Sequence, residues 1–139
     1  MKFYTLVLLP ENTHDMDDKS IEEYVAAQMK PFKMVDDDGL PYNKEWKWDY
    51  YCLYDKAYMS KMGFSEPLYK DIEPKSEYVV YATEALTIEH MSFAILTPDG
   101  QWLNGPYPLQ DPDPLWPEKA LEKIKNSGAL FGVYVYCHS

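Results

Sequence analysis

The opening run, residues 2–9 (KFYTLVLL), constrains the fold most. It is rich in β-branched and aromatic side chains and stops at Pro10, as a buried strand would. The apolar part, Phe3 to Leu9, is too short to span a bilayer, and no small-residue cleavage site accompanies it. It reads as sheet rather than as an anchor or leader. A second β-rich run, residues 129–137 (ALFGVYVYC), predicts a final strand.

Between these runs the pattern alternates. Ser20 and Glu23 have the spacing of a capping box, and Ile21, Tyr24, Val25, Gln28 and Met29 follow at helical intervals until Pro31. That predicts a helix of about three turns. In 45–55 (EWKWDYYCLYD), Trp46, Trp48, Tyr50, Cys52 and Tyr54 alternate with Lys47, Asp49, Tyr51, Leu53 and Asp55, which predicts a strand with one buried face. Residues 78–83 (YVVYAT) have the makings of a short strand. Residues 92–97, the turn Pro98-Asp99-Gly100 and residues 101–104 form a hairpin signal. A proline-rich loop over 105–114 leads to a second helix over about 115–125, with Ala120, Leu121 and Ile124 as its apolar stripe and Gly128 as its stop.

Short helices interleaved with an antiparallel hairpin predict an α+β fold: a ferredoxin-like split βαβ sandwich, with a mainly antiparallel sheet and two helices on one face. The 139 residues make one domain, 1–139, with an irregular excursion at about 56–90.

Charge then limits function. The chain carries 23 carboxylates against 13 lysines, no arginine and a formal charge of −10, with 13 tyrosines. Phosphate backbones and anionic lipid surfaces would be repelled, so direct nucleic-acid and membrane binding are disfavoured. Without arginine there is no bidentate phosphate clamp. Solubility alone is a competing reason for acidity. The two cysteines, Cys52 and Cys137, lie in apolar runs without metal-type spacing, and are expected to be buried free thiols of a cytoplasmic protein.

Site motifs are few. An EF-hand loop ending at Glu45 would put Asp36, Asp38 and Gly39 at its third, fifth and sixth positions. Its first position would then be Met34, which cannot ligate calcium. Of His14, His90 and His138, only His138 lies beside a cysteine, and nothing shows the closely spaced ligand pairs of a zinc site. There is no nucleophile elbow and no glycine-rich phosphate loop. No catalytic residue, metal or cofactor is expected. In the last strand, Phe131, Val133, Val135 and Cys137 share one face and Tyr134, Tyr136 and His138 the other. If the first face packs on the helices, the tyrosines join Tyr51 and Tyr4 as an aromatic platform. Among carboxylates such a platform suits a protein interface better than a nucleic acid. The bland reading is that residues 56–90 fold over this face and bury the tyrosines.

The opening strand, the helix ending Met29-Lys30-Pro31-Phe32, the segment Lys47-Trp48-Asp49-Tyr50-Tyr51, the hairpin Thr97-Pro98-Asp99-Gly100-Gln101-Trp102 and the terminal Val133 to His138 occur in that order. Together they resemble a group of small ferredoxin-like proteins of tailed phages and prophages, for which no activity is established. Members of the group typically follow Asp-Trp-Tyr with Gly-Gly-Arg-Trp and close on Asp-x-His. This chain has Cys52-Leu53-Tyr54-Asp55 after its aromatic triplet and Tyr136 where the aspartate would stand. The resemblance implies an origin in a virus or mobile element.

Phage accessory proteins of this size often block a host machine. The leading expectation is therefore a non-enzymatic, anti-CRISPR-like anti-defence inhibitor, an acidic nucleic-acid mimic acting in the host cytoplasm. Asp17, Asp18, Glu22, Glu23, Asp36, Asp37 and Asp38 would imitate phosphates against the basic groove of a host nucleic-acid-binding or defence protein, with Tyr51, Tyr134 and Tyr136 as apolar anchors. Two alternatives stand beside it: a nucleotide- or small-molecule-binding protein or enzyme of an anti-defence system, and a self-associating structural protein.

Overall fold

The computed structural model describes residues 2–9, 17–33, 48, 50–53, 80–87, 94–104 and 114–138. Six strands and two α-helices are present among them. They are β1 (Lys2–Leu8), α1 (Asp18–Met29), β2 (Tyr50–Leu53), β3 (Val80–Ala82), β4 (Ala94–Leu96), β5 (Trp102–Asn104), α2 (Trp116–Asn126) and β6 (Phe131–His138). Single 3-10 turns follow α1, at Lys30–Phe32, and β3, at Thr83–Ala85.

The strands form one mixed sheet in the order β2-β6-β1-β4-β5, with β3 also paired to β6. β1 and β4 run parallel; the pairings β1 with β6, β2 with β6, β3 with β6, and β4 with β5 are antiparallel. A mostly antiparallel sheet with two helices fits a ferredoxin-like α+β fold. The hairpin forms as its turn residues dictate. Gly100 takes a positive φ of 86° and its N–H donates to the Thr97 carbonyl, while the Thr97 hydroxyl donates to Asp99.

The helices differ from expectation in placement. Side chains alternate across a strand, so odd and even positions of β1 face opposite ways. Phe3, Val7 and Leu9 pack with Ile21, Val25 and Met29 of α1, whereas Leu6 and Leu8 pack with Ala120 and Ile124 of α2. One helix therefore covers each face, not both helices one face. The physical reason lies in β1 itself. All of Phe3–Leu9 except half-buried Tyr4 is buried, and a strand apolar on both sides needs cover on both sides.

Local details also depart from the sequence reading. The cap of α1 is Asp17, whose carboxylate accepts the Ser20 N–H at 2.8 Å, so Ser20 lies inside the first turn. Tyr24 donates to the Leu8 carbonyl at 3.2 Å. Gln28 Nε2 donates to the Tyr24 hydroxyl and to the Thr97 and Pro98 carbonyls, each at 3.1 Å, and so ties α1 to the hairpin.

The alternation expected from Trp46 to Tyr54, which puts Trp48 on one face with Cys52, does not hold. Trp48 is buried with Tyr51 and Leu53 on the α1 side, while Cys52 is exposed. Trp48 does not extend β2; it forms a parallel bridge to Lys33, and its indole N–H donates to the Met29 carbonyl at 2.8 Å. Trp46 and Tyr54 lie outside the described residues.

α2 begins one residue past the expected start. It ends at a left-handed Gly128 with φ 76°. The Ser127 hydroxyl donates to the Ile124 carbonyl at 2.6 Å and accepts the Ala129 N–H at 3.1 Å, turning the chain into β6. In β6, a Cβ on Gly132 would come within 2.8 Å of Leu6 Cδ1, so the glycine leaves room for the leucine beneath α2.

The thiols separate as well. Cys137 is buried on the α1 face, 3.5 Å from the Thr5 hydroxyl, and burial pushes it up to about 12. Cys52, expected to be buried, is exposed on the other face because its register partner is Tyr136.

Candidate functional site

Two surfaces gather the residues singled out by sequence. The first is the outer side of α1. Asp17, Lys19, Glu22, Glu23 and Lys30 are exposed and Asp18 is half-buried. From Asp17 to Lys30 there are four carboxylates against two lysines. α2, across the sheet, carries Glu118 and Glu122 against Lys119, Lys123 and Lys125. Of the two helices, α1 is therefore the acidic one.

Asp17 is held below the usual carboxylate range, chiefly by the Ser20 backbone N–H and then by the Ser20 side chain. Tyr51 joins this side. Its register partner is Cys137, and its ring meets Trp48 edge-on at 4.9 Å between centroids. Burial raises the Tyr51 phenol above its ordinary value, and the Cys137 thiol and Glu22 carboxylate push in the same direction. Glu22 on α1 and Tyr51 on β2 are thus near enough to sense one another, although 29 positions separate them. No local sequence signal reports such a long-range pairing. Beyond Tyr51, the Lys33 ammonium lies 5.9 Å from the centre of the Trp48 ring.

The second surface is the opposite face at the far end of β6. Tyr4 and Tyr136 are register partners, with ring centroids 5.3 Å apart and planes at 66°. Both are half-buried, as is His138, and exposed Cys52 sits across from Tyr136. Tyr134, nearer the middle of β6, packs against the α2 cluster.

The platform expected from sequence is therefore divided by the sheet. Tyr4, Tyr134 and Tyr136 share one face, and Tyr51 lies on the other with the carboxylates of α1. Asp36, Asp37 and Asp38 lie outside the described residues, as do the trial calcium loop, His14 and His90. Among the described residues no three of His, Cys, Asp and Glu come together as a metal site, and no helix is long and apolar enough to cross a membrane.

Comparison with protein-family models, with curated proteins and with solved structures gives no match.

Proposed function

We propose that the chain is a non-enzymatic binding protein of phage or prophage origin, which occupies the basic groove of a host nucleic-acid-binding or defence protein. The observation that carries this reading is that the exposed carboxylates of α1 and the half-buried Tyr51 ring lie on the same side of the sheet. Glu22 and Glu23 stand exposed along the helix, and the Tyr51 phenol, raised chiefly by burial and also by the Glu22 charge, packs against the same cluster as α1. Carboxylates attract and orient a cationic partner from a distance, and an adjacent aromatic supplies contact area once water is expelled. The lack of arginine fits a surface that imitates phosphate better than one that holds it. Tyr134 and Tyr136, on the other side of the sheet, are not part of this contact.

The test is affinity purification from host cells, followed by titration of the recovered partner at increasing salt. A nucleic-acid-binding or defence protein should be recovered. Its binding should weaken steeply between about 50 and 200 mM salt, as expected when several charges are paired. Glu22→Gln with Glu23→Gln should weaken binding about tenfold or more at low salt, corresponding to the ~1.4 kcal/mol lost per decade. Tyr136→Phe should leave it unchanged. Binding indifferent to salt and to the Glu22 and Glu23 changes would remove the basis of the proposal.

A further inference from the structure

A strand has two hydrogen-bonding edges, and β1 takes one edge of β6 along nearly its whole length, from Leu8 opposite Gly132 to Lys2 opposite His138. β2 and β3 must therefore share the other edge. β2 pairs with the last four residues of β6, ending with Leu53 opposite Val135. β3 pairs with the first three, beginning with Val80 opposite Val133. Both run antiparallel to β6, and thus in the same direction as each other. Tyr134 is the one β6 residue between these two registers.

We infer that β2 and β3 are the two halves of one edge strand, interrupted at a single position by residues 54–79. The parity agrees. Leu53 and Val80 are opposite Val135 and Val133, two residues of one face, as positions i and i+2 of an unbroken strand would be. One residue opposite Tyr134 would complete the line. On this edge β2 and β3 pair with β6 on either side of Tyr134. The register carries this inference, and it is independent of the proposed partner.

The experiment replaces residues 54–79 in the otherwise full chain by linkers of one, three or ten residues. The one-residue linker is a threonine, placed opposite Tyr134. Thermal unfolding and far-ultraviolet circular dichroism are then compared with the parent protein. The one-residue variant should unfold cooperatively, with a midpoint equal to or above that of the ten-residue variant, because a shorter connection restricts the unfolded chain more. Hydrogen exchange should show the same protection over 131–138 in all variants. If only the ten-residue linker folds, the ends of β2 and β3 are not in line and the inference fails. If none of the three folds, residues 54–79 are needed by the sheet, which overturns it equally.

Discussion

The two faces of the sheet are held by different means. On one, α1 buries Ile21, Val25 and Met29 over a broad cluster running from Phe3 to Cys137, and polar contacts from Tyr24 and Gln28 fasten it to β1 and the hairpin. On the other, α2 fully buries only Ala120 and Ile124, with Leu121 and Trp116 half-buried beside them. The α1 side distributes its hold over many side chains, and the α2 side concentrates it in one large aliphatic group. A distributed contact tolerates the loss of a member, because its neighbours keep the helix seated; a concentrated one does not.

The largest expected effect puts this difference to a direct trial. Ile21→Ala and Ile124→Ala remove the same atoms from the two faces, each within the ~2–5 kcal/mol range for a buried isoleucine. Ile124→Ala should fall at the upper end and Ile21→Ala at the lower, measured by urea denaturation. Equal losses would break the comparison.

Next in size is Trp48→Phe, which keeps a ring in the α1 cluster but strips the indole N–H from the buried Met29 carbonyl. A destabilisation of about 1–3 kcal/mol is expected from leaving that acceptor without its donor. A neutral result would mean that the end of α1 is satisfied by other means.

The smallest effect shows only at alkaline pH. Cys137 is raised from 9.0 to about 12, first by burial, so the folded chain keeps its thiol neutral where the unfolded chain ionises. This contribution is whole below about pH 9 and drains away as pH climbs through 12. Tyr24 and Tyr51, raised by burial on the same face, act in the same sense. Denaturation midpoints measured from pH 8 upward should decline less steeply in Cys137→Ala than in the parent. Parallel declines would place the alkaline weakness elsewhere.

Much of the fold was legible in residue spacing. The final strand, the hairpin and α2 lie within a residue or two of their expected places, because each is punctuated locally: Gly100 at the turn, Gly128 after the helix, and alternating Val and Tyr in β6. The class of fold followed from their order. The sidedness of the helices did not, although the signal was present. KFYTLVLL does not alternate, and a strand apolar on both faces asks for a layer on each. The capping aspartate was missed because Ser20 and Glu23 offered a plausible pair three residues later. The candidate surface was read less well. Carboxylates on α1 are visible in any helical projection, but whether a given tyrosine shares their side depends on strand register. Tyr51 pairs with Cys137 rather than with a tyrosine of β6, and that register sets it across the sheet from Tyr134 and Tyr136.

The separation of Cys52 and Cys137 by the thickness of the sheet has a practical consequence. A disulfide needs its two Cβ atoms about 4 Å apart and turned toward each other, which neighbouring side chains on opposite sides of a strand pair cannot achieve. Air therefore cannot staple this chain to itself. In storage without reductant, any disulfide between copies of this chain is expected to run through the exposed Cys52.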